Sequence, residues 1–120
     1  FTGEGRREAM EEIRHSVAEY YGVASCLEIG PRYLHSTGQM HKGGPNTGVF
    51  LLLSAAETKD IAIDDPRAQS LGQLAKAQAM GDFAILSERS RRCVHVHLPD
   101  SSSVTLRALA KELKKVVSFK

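Results

Sequence analysis

The sequence predicts a three-layer α/β fold with a mainly parallel sheet flanked by helices. Two observations lead there. Helix-like and strand-like stretches alternate along the 120 residues, and alternation at this spacing favours parallel strands joined by helical crossovers. One strand candidate, Val49-Phe50-Leu51-Leu52-Leu53, is continuously apolar, as expected where both faces of a parallel sheet are covered. Right-handed crossovers then place helices on both faces.

The elements follow in order. From Arg6 to Tyr21, Ala9 or Met10, Ile13, Val17 and Tyr20 or Tyr21 recur at three- and four-residue steps. That makes one apolar helical stripe, and Gly22 is a left-handed stop behind it. Val23 to Ile29 is β-prone and closed by Gly30-Pro31, which predicts a strand followed by a loop. Residues 33 to 41 can form a short helix that Gly43-Gly44-Pro45 must break. Gly48 to Ala55 is the strongest strand. Glu57 to Gln69 is polar with isolated Ile61 and Ile63 and an Asp64-Asp65-Pro66 turn; it reads as a connection with one short edge strand.

Ser70 caps a helix over Leu71 to Met80, with Leu71, Leu74, Ala75 and Gln78 on one face. Gly81 is expected to end it, and Asp82 to cap a further turn over Phe83 to Glu88. Arg89, Arg91 and Arg92 form a basic loop, read as solvated or as a phosphate or partner contact. Arg92 to Leu98 alternates as a strand, with Cys93, His95 and His97 on one face. Pro99 to Ser103 is a turn that caps the last helix. Leu106, Leu109, Ala110, Leu113, Val116 and Val117 face inward there, and Arg107, Lys111, Lys114 and Lys115 face outward. Cations in the last turns favour the helix dipole.

Bulk properties exclude several functions. The chain is 42% hydrophobic and 25% charged with a net charge of +2. That is an ordinary globular balance, with no electrostatic case for nucleic acid or an anionic membrane. No apolar run approaches the ~20 residues that span a bilayer, and no secretory signal is visible. Cys26 and Cys93 lack paired spacing, so both read as reduced, buried thiols in a cytoplasmic protein. The length predicts a single domain. Because the first residue is Phe1, that domain is expected to be part of a larger protein.

The polar stretch Gly30 to Gly48 gathers Arg32, His35, His41, Lys42, Ser36, Thr37, Thr47, Gln39 and Asn46 between two apolar runs. In open α/β sheets, ligands collect at the carboxyl ends of strands. A second polar set is Cys93, His95 and His97. Alternation along one strand separates neighbours by about 7 Å, so the three cannot share one ion held at ~2 Å, and no metal is expected.

The run His35-Ser36-Thr37-Gly38-Gln39-Met40-His41-Lys42-Gly43-Gly44-Pro45-Asn46-Thr47-Gly48 resembles the C-terminal sugar-isomerase (SIS) domain of glucose-6-phosphate isomerases. It is most similar to the form fused to transaldolase. Gly30 to Leu34, Leu71 to Asp82 and Arg91 to Leu98 match that form as well. The likeness spans residues 23 to 98 in separated blocks. It implies a flavodoxin- or Rossmann-type half, paired with a second sugar-isomerase domain in the parent protein. The implied reaction interconverts glucose 6-phosphate and fructose 6-phosphate through an enediolate, with no metal or other cofactor. The chain departs from the family after its last strand: a glycine- and glutamate-containing helix start with a catalytic lysine is replaced by Pro99-Asp100-Ser101-Ser102-Ser103.

Such a reaction needs an acid–base group for ring opening, a base between C1 and C2, and donors for the enediolate and phosphate. Imidazole suits the first, with an ordinary pKa near ~6.5. His35 or His41 is expected to serve, and the residues do not choose between them. Lys42 and Arg32 are candidates to neutralise a developing oxyanion or a phosphate. Gly43 and Gly44 allow close backbone approach or simply form a turn. Ser36, Thr37, Gln39, Asn46 and Thr47 can bind sugar hydroxyls, or equally satisfy the loop. Glu28 is the candidate base within the chain; the resemblance implies instead a base from a loop that precedes this region, outside the chain. The expectation is an isomerase part that is inactive alone. The alternatives are a non-catalytic sugar-phosphate-binding domain and a dimerisation module.

Overall fold

The computed structural model describes residues 5–30, 37–56, 61–66 and 68–117. In chain order its elements are α1 (Arg6–Tyr21), α2 (Thr37–Gly43), β1 (Val49–Ala55), β2 (Ala62–Asp65), β3 (Ala68–Ser70), α3 (Leu71–Glu88), β4 (Arg92–Leu98) and α4 (Ser103–Val117). The fold is mixed α/β. The chain divides into two compact units, Phe1–Glu28 with Pro99–Lys120, and Ile29–Leu98.

In the first unit α1 packs on α4. Ala9, Met10 and Ile13 are buried on α1, as the stripe requires, and Leu106 and Ala110 are buried on α4. Leu106 is 0% exposed, a burial worth about 1.5–3 kcal/mol. Gly22 closes α1 at φ 62°, ψ 37°, the left-handed conformation that glycine adopts without a Cβ clash. The entry to α4 is a small polar network. Thr105 N donates to Ser102 Oγ at 3.2 Å, while Asp100 Oδ1 accepts from Ser102 N at 2.8 Å and from Thr105 Oγ1 at 2.7 Å. These donors hold the Asp100 carboxyl below its ordinary range. Lys114 pairs with Glu12 across the two helices.

Residues 23–29 are not a strand. A β-prone run needs a neighbouring ladder, and no described strand pairs with it. The Arg14 guanidinium reaches Ser25 instead, 3.4 Å from its carbonyl and 3.3 Å from its hydroxyl. Cys26, expected in a core, is exposed.

In the second unit β1 and β4 pair in parallel, from Val49 opposite Arg92 to Ala55 opposite Leu98. The connection between them holds an antiparallel hairpin, β2 with β3, where the sequence suggested one edge strand. Ser70 ends β3 and caps α3: its Oγ accepts from Gln73 N at 3.2 Å, while Gln73 Oε1 accepts from Gln69 N at 2.9 Å. This reciprocal pair is a capping box in all but the position of its second donor.

Two expectations about this unit fail. Gly81 does not end α3, which runs on to Glu88. The inward face continues past it through Asp82 and Leu86, both buried, and that anchorage outweighs the ~1 kcal/mol cost of an interior glycine. Nor is β1 covered on both faces along its whole length: its amino-terminal part is open on one side, while Leu98, opposite Ala55, is buried. Val49, Leu51 and Val94 are 76%, 43% and 59% exposed. In-register pairing puts them on one face, and α3 contacts the sheet with the opposite face toward it, through Phe83 against His95.

A Cβ at Gly81 would meet nothing within 4 Å. Gly81→Ala is therefore expected to raise unfolding free energy in urea by about 0.5–1 kcal/mol; a loss would show that the helix needs glycine there. The Asp100 carboxyl titrates lower folded than unfolded. Its contribution is thus complete above the unfolded value near ~3.9 and lost as pH falls through the lower folded value. Acid unfolding followed by circular dichroism should show this component in the native chain and not in Asp100→Asn.

Candidate functional site

The glycine-rich stretch leads directly into β1, so residues 44–48 lie at the amino ends of the parallel pair. Their bonds go to the start of β4. Asn46 Nδ2 donates to Ser90 O at 3.2 Å, and Arg92 Nη2 donates to Asn46 O at 2.8 Å. Arg91 Nη2 donates to Gly44 O at 2.5 Å and Lys42 O at 3.1 Å. A guanidinium thus holds the carbonyls at the end of α2, where a cation complements the helix dipole. Arg91, half-buried, and Arg92, exposed, both brace this turn.

Lys42 is committed as well. Its Nζ lies 2.6 Å from Asp82 Oδ1, with side-chain exposures of 17% and 7%. The expected free cation for a phosphate or oxyanion has its charge met by α3. His41 is half-buried, its ring 5.1 Å from Phe50. Gly44 makes a tight turn in which its N–H donates to Met40 O at 2.8 Å. A Cβ there would stand 2.5 Å from that carbonyl oxygen, so the turn accounts for this glycine. A Cβ on Gly43 would meet nothing. Gln39 and Thr47 are exposed. Arg32, His35 and Ser36 lie outside the described residues; Thr37 opens α2, and its side chain lies outside them too. Glu28 is exposed on the irregular segment of the first unit.

A second cluster stands at the other end. Ser54 and His97 are the penultimate residues of β1 and β4 and face each other in register. Ser54 Oγ lies 2.7 Å from His95 Nε2 and 2.8 Å from His97 Nδ1. The ring of Phe83 is 5.7 Å from that of His95. The carboxyl ends of parallel strands are where α/β sheets bind ligands. Five strand steps, about 17 Å, separate Val49 from Ser54. The imidazoles were legible as one strand face; Ser54, inside an apolar run, carried no signal without the register.

Cys93 shares that face but is half-buried, and burial pushes its thiol up, away from the thiolate that binds metals. Among the described residues no group of three or more His, Cys, Asp or Glu side chains could hold a metal ion. No described helix is long and apolar enough to cross a membrane.

No protein-family model and no curated protein matches the chain. Among solved structures, the crystal structure of a hypothetical protein from Thermus thermophilus matches 75% of the chain at 24% identity, with a TM-score of 0.67. The chain spans 24% of that protein's length. At this identity the likeness speaks for the fold, and it supports the α/β architecture.

Removing one partner of a buried ion pair leaves an uncompensated charge. Asp82→Ala is expected to destabilise the chain by about 3 kcal/mol in urea unfolding. The double variant Lys42→Met with Asp82→Leu should recover most of that loss. Equal losses in single and double variants would remove the pair from the account.

Proposed function

We propose that the chain is part of a cytoplasmic aldose–ketose isomerase that interconverts glucose 6-phosphate and fructose 6-phosphate by proton transfer through an enediolate. The likeness of residues 35–48 to sugar-isomerase domains supports the substrate. The observation that carries the reading is the Ser54–His95–His97 cluster at the carboxyl ends of two parallel strands. It offers two imidazoles and a hydroxyl where a polyhydroxylated ligand is expected in this architecture. His35 or His41 remains the ring-opening candidate. Lys42, Asn46, Gly44 and Arg91 act as the frame of the segment. The amino-terminal part of the open face of β1 and β4, where Val49, Leu51 and Val94 are exposed, suits cover by a second sugar-isomerase domain or by a second copy of the chain.

Two observations favour a second reading. The family's usual lysine position is missing after β4, and Lys42 is paired with Asp82; a domain that binds sugar phosphate without turning it over fits these facts.

Titration of the chain with fructose 6-phosphate, followed by amide and imidazole NMR, is expected to shift Ser54, His95 and His97. No shift at the strand ends would reject both readings. In the parent protein, His35→Ala should lower turnover by about 10²-fold or more, the range for lost acid–base catalysis. Binding without any turnover in the parent protein would select the second reading.

A further inference from the structure

The isomerase reading makes no use of the first unit, yet its two helices leave a groove of about 850 Å³ between them. The α4 wall of that groove is Arg107, Lys111, Lys114 and Lys115. The α1 wall carries Glu12, Glu19 and Tyr20. Cations therefore outnumber carboxylates in it. Two of the cations are engaged: Lys114 pairs with Glu12, and Lys115 with Glu112 at 2.7 Å. Among the described residues none accepts a hydrogen bond from Arg107 or Lys111. Both are exposed, and their charges reach Glu12 and Glu112 only through space.

Spacing narrows what fits. Arg107, Lys111 and Lys115 lie four residues apart on α4. A helix rises 1.5 Å per residue, so these cations step by about 6 Å along a line of about 12 Å. One phosphate is too small to meet all three. A nucleic-acid backbone could follow the line, but Glu12 and Glu19 on the facing wall would repel its unbroken negative charge. An α-helix with carboxylates four residues apart has the same step as α4, and the trough between two packed helices can seat a third. Tyr20 is 40% exposed, its ring edge-on to that of Tyr21 at 4.9 Å. Tyrosine and arginine are the side chains that most often anchor interfaces.

We propose that the α1–α4 groove docks an acidic amphipathic helix of a partner protein. Carboxylates four residues apart meet Arg107, Lys111 and Lys115, and an apolar side chain rests on Tyr20. Lys115 gives up its pair with Glu112 at little cost, because both side chains are more than half exposed. The proposal stands apart from the isomerase reading, whose residues lie in the other unit.

The probe is a labelled helical peptide with glutamates at i, i+4 and i+8 and leucines on the adjoining face. Fluorescence anisotropy is expected to show saturable binding to the chain, with amide NMR shifts on α1 and α4. Lys111→Glu keeps α4 helical, since the new carboxylate falls between Arg107 and Lys115. It should weaken binding about 10-fold, the effect of turning one attraction into repulsion. Lys76→Glu makes the same charge change on exposed α3 surface and should leave binding unaltered. No binding, equal losses in the two variants, or equal affinity for a peptide with the same composition in scrambled order would overturn the proposal. Displacement by inorganic phosphate, but not by sodium chloride of equal ionic strength, would make the groove a small-anion site and overturn it as well.

Discussion

The in-register parallel pairing of β1 with β4 is the constraint on which the rest depends. It sets Leu52 opposite His95 and Ser54 opposite His97. Side chains alternate along a strand, so a slip of one residue would send every one of them to the other face. Ser54 would then leave both imidazoles, and Phe50 would leave His41. The register is pinned from two sides. Phe50, Leu52 and Cys93 are half-buried on the face that carries His41 and Phe83. Arg91 and Arg92 fasten the start of β4 to the turn before β1.

The two ends of this strand pair divide the work. At the amino end, charge is neutralised and carbonyls are satisfied: Lys42 by Asp82, the end of α2 by Arg91, Asn46 by Ser90 and Arg92. Such groups rigidify a segment because leaving any of them unpaired in a partly buried place is costly. At the carboxyl end the polar groups are bonded to one another through Ser54 Oγ, and no described residue bonds His95 Nδ1 or His97 Nε2. A stiff end and a chemically open end on one short sheet is the arrangement a binding site requires of its scaffold.

Much of the fold was legible because periodicity and capping are local. The α1 stripe with Gly22, the Ser70 cap, the apolar β1, the alternating β4 and the polar entry to α4 all follow from neighbours within a few residues. The failures are non-local. Residues 23–29 have strand propensity and no described strand to pair with. Gly81 looked like a terminator, but Asp82 and Leu86 beyond it find partners or burial that carry the helix on. Lys42 looked like a free cation because Asp82, forty residues away, gives no sign in sequence of being its partner. Ser54 was invisible for the same reason: only the strand register brings it to the imidazoles.

The most direct measurement is the set of interstrand nuclear Overhauser contacts between β1 and β4 in solution. Contacts that align Leu52 with His95 and Ser54 with His97, both strands running the same way, are the predicted result. A ladder displaced by one residue, or an antiparallel one, would separate the hydroxyl from the imidazoles and contradict the account at its root.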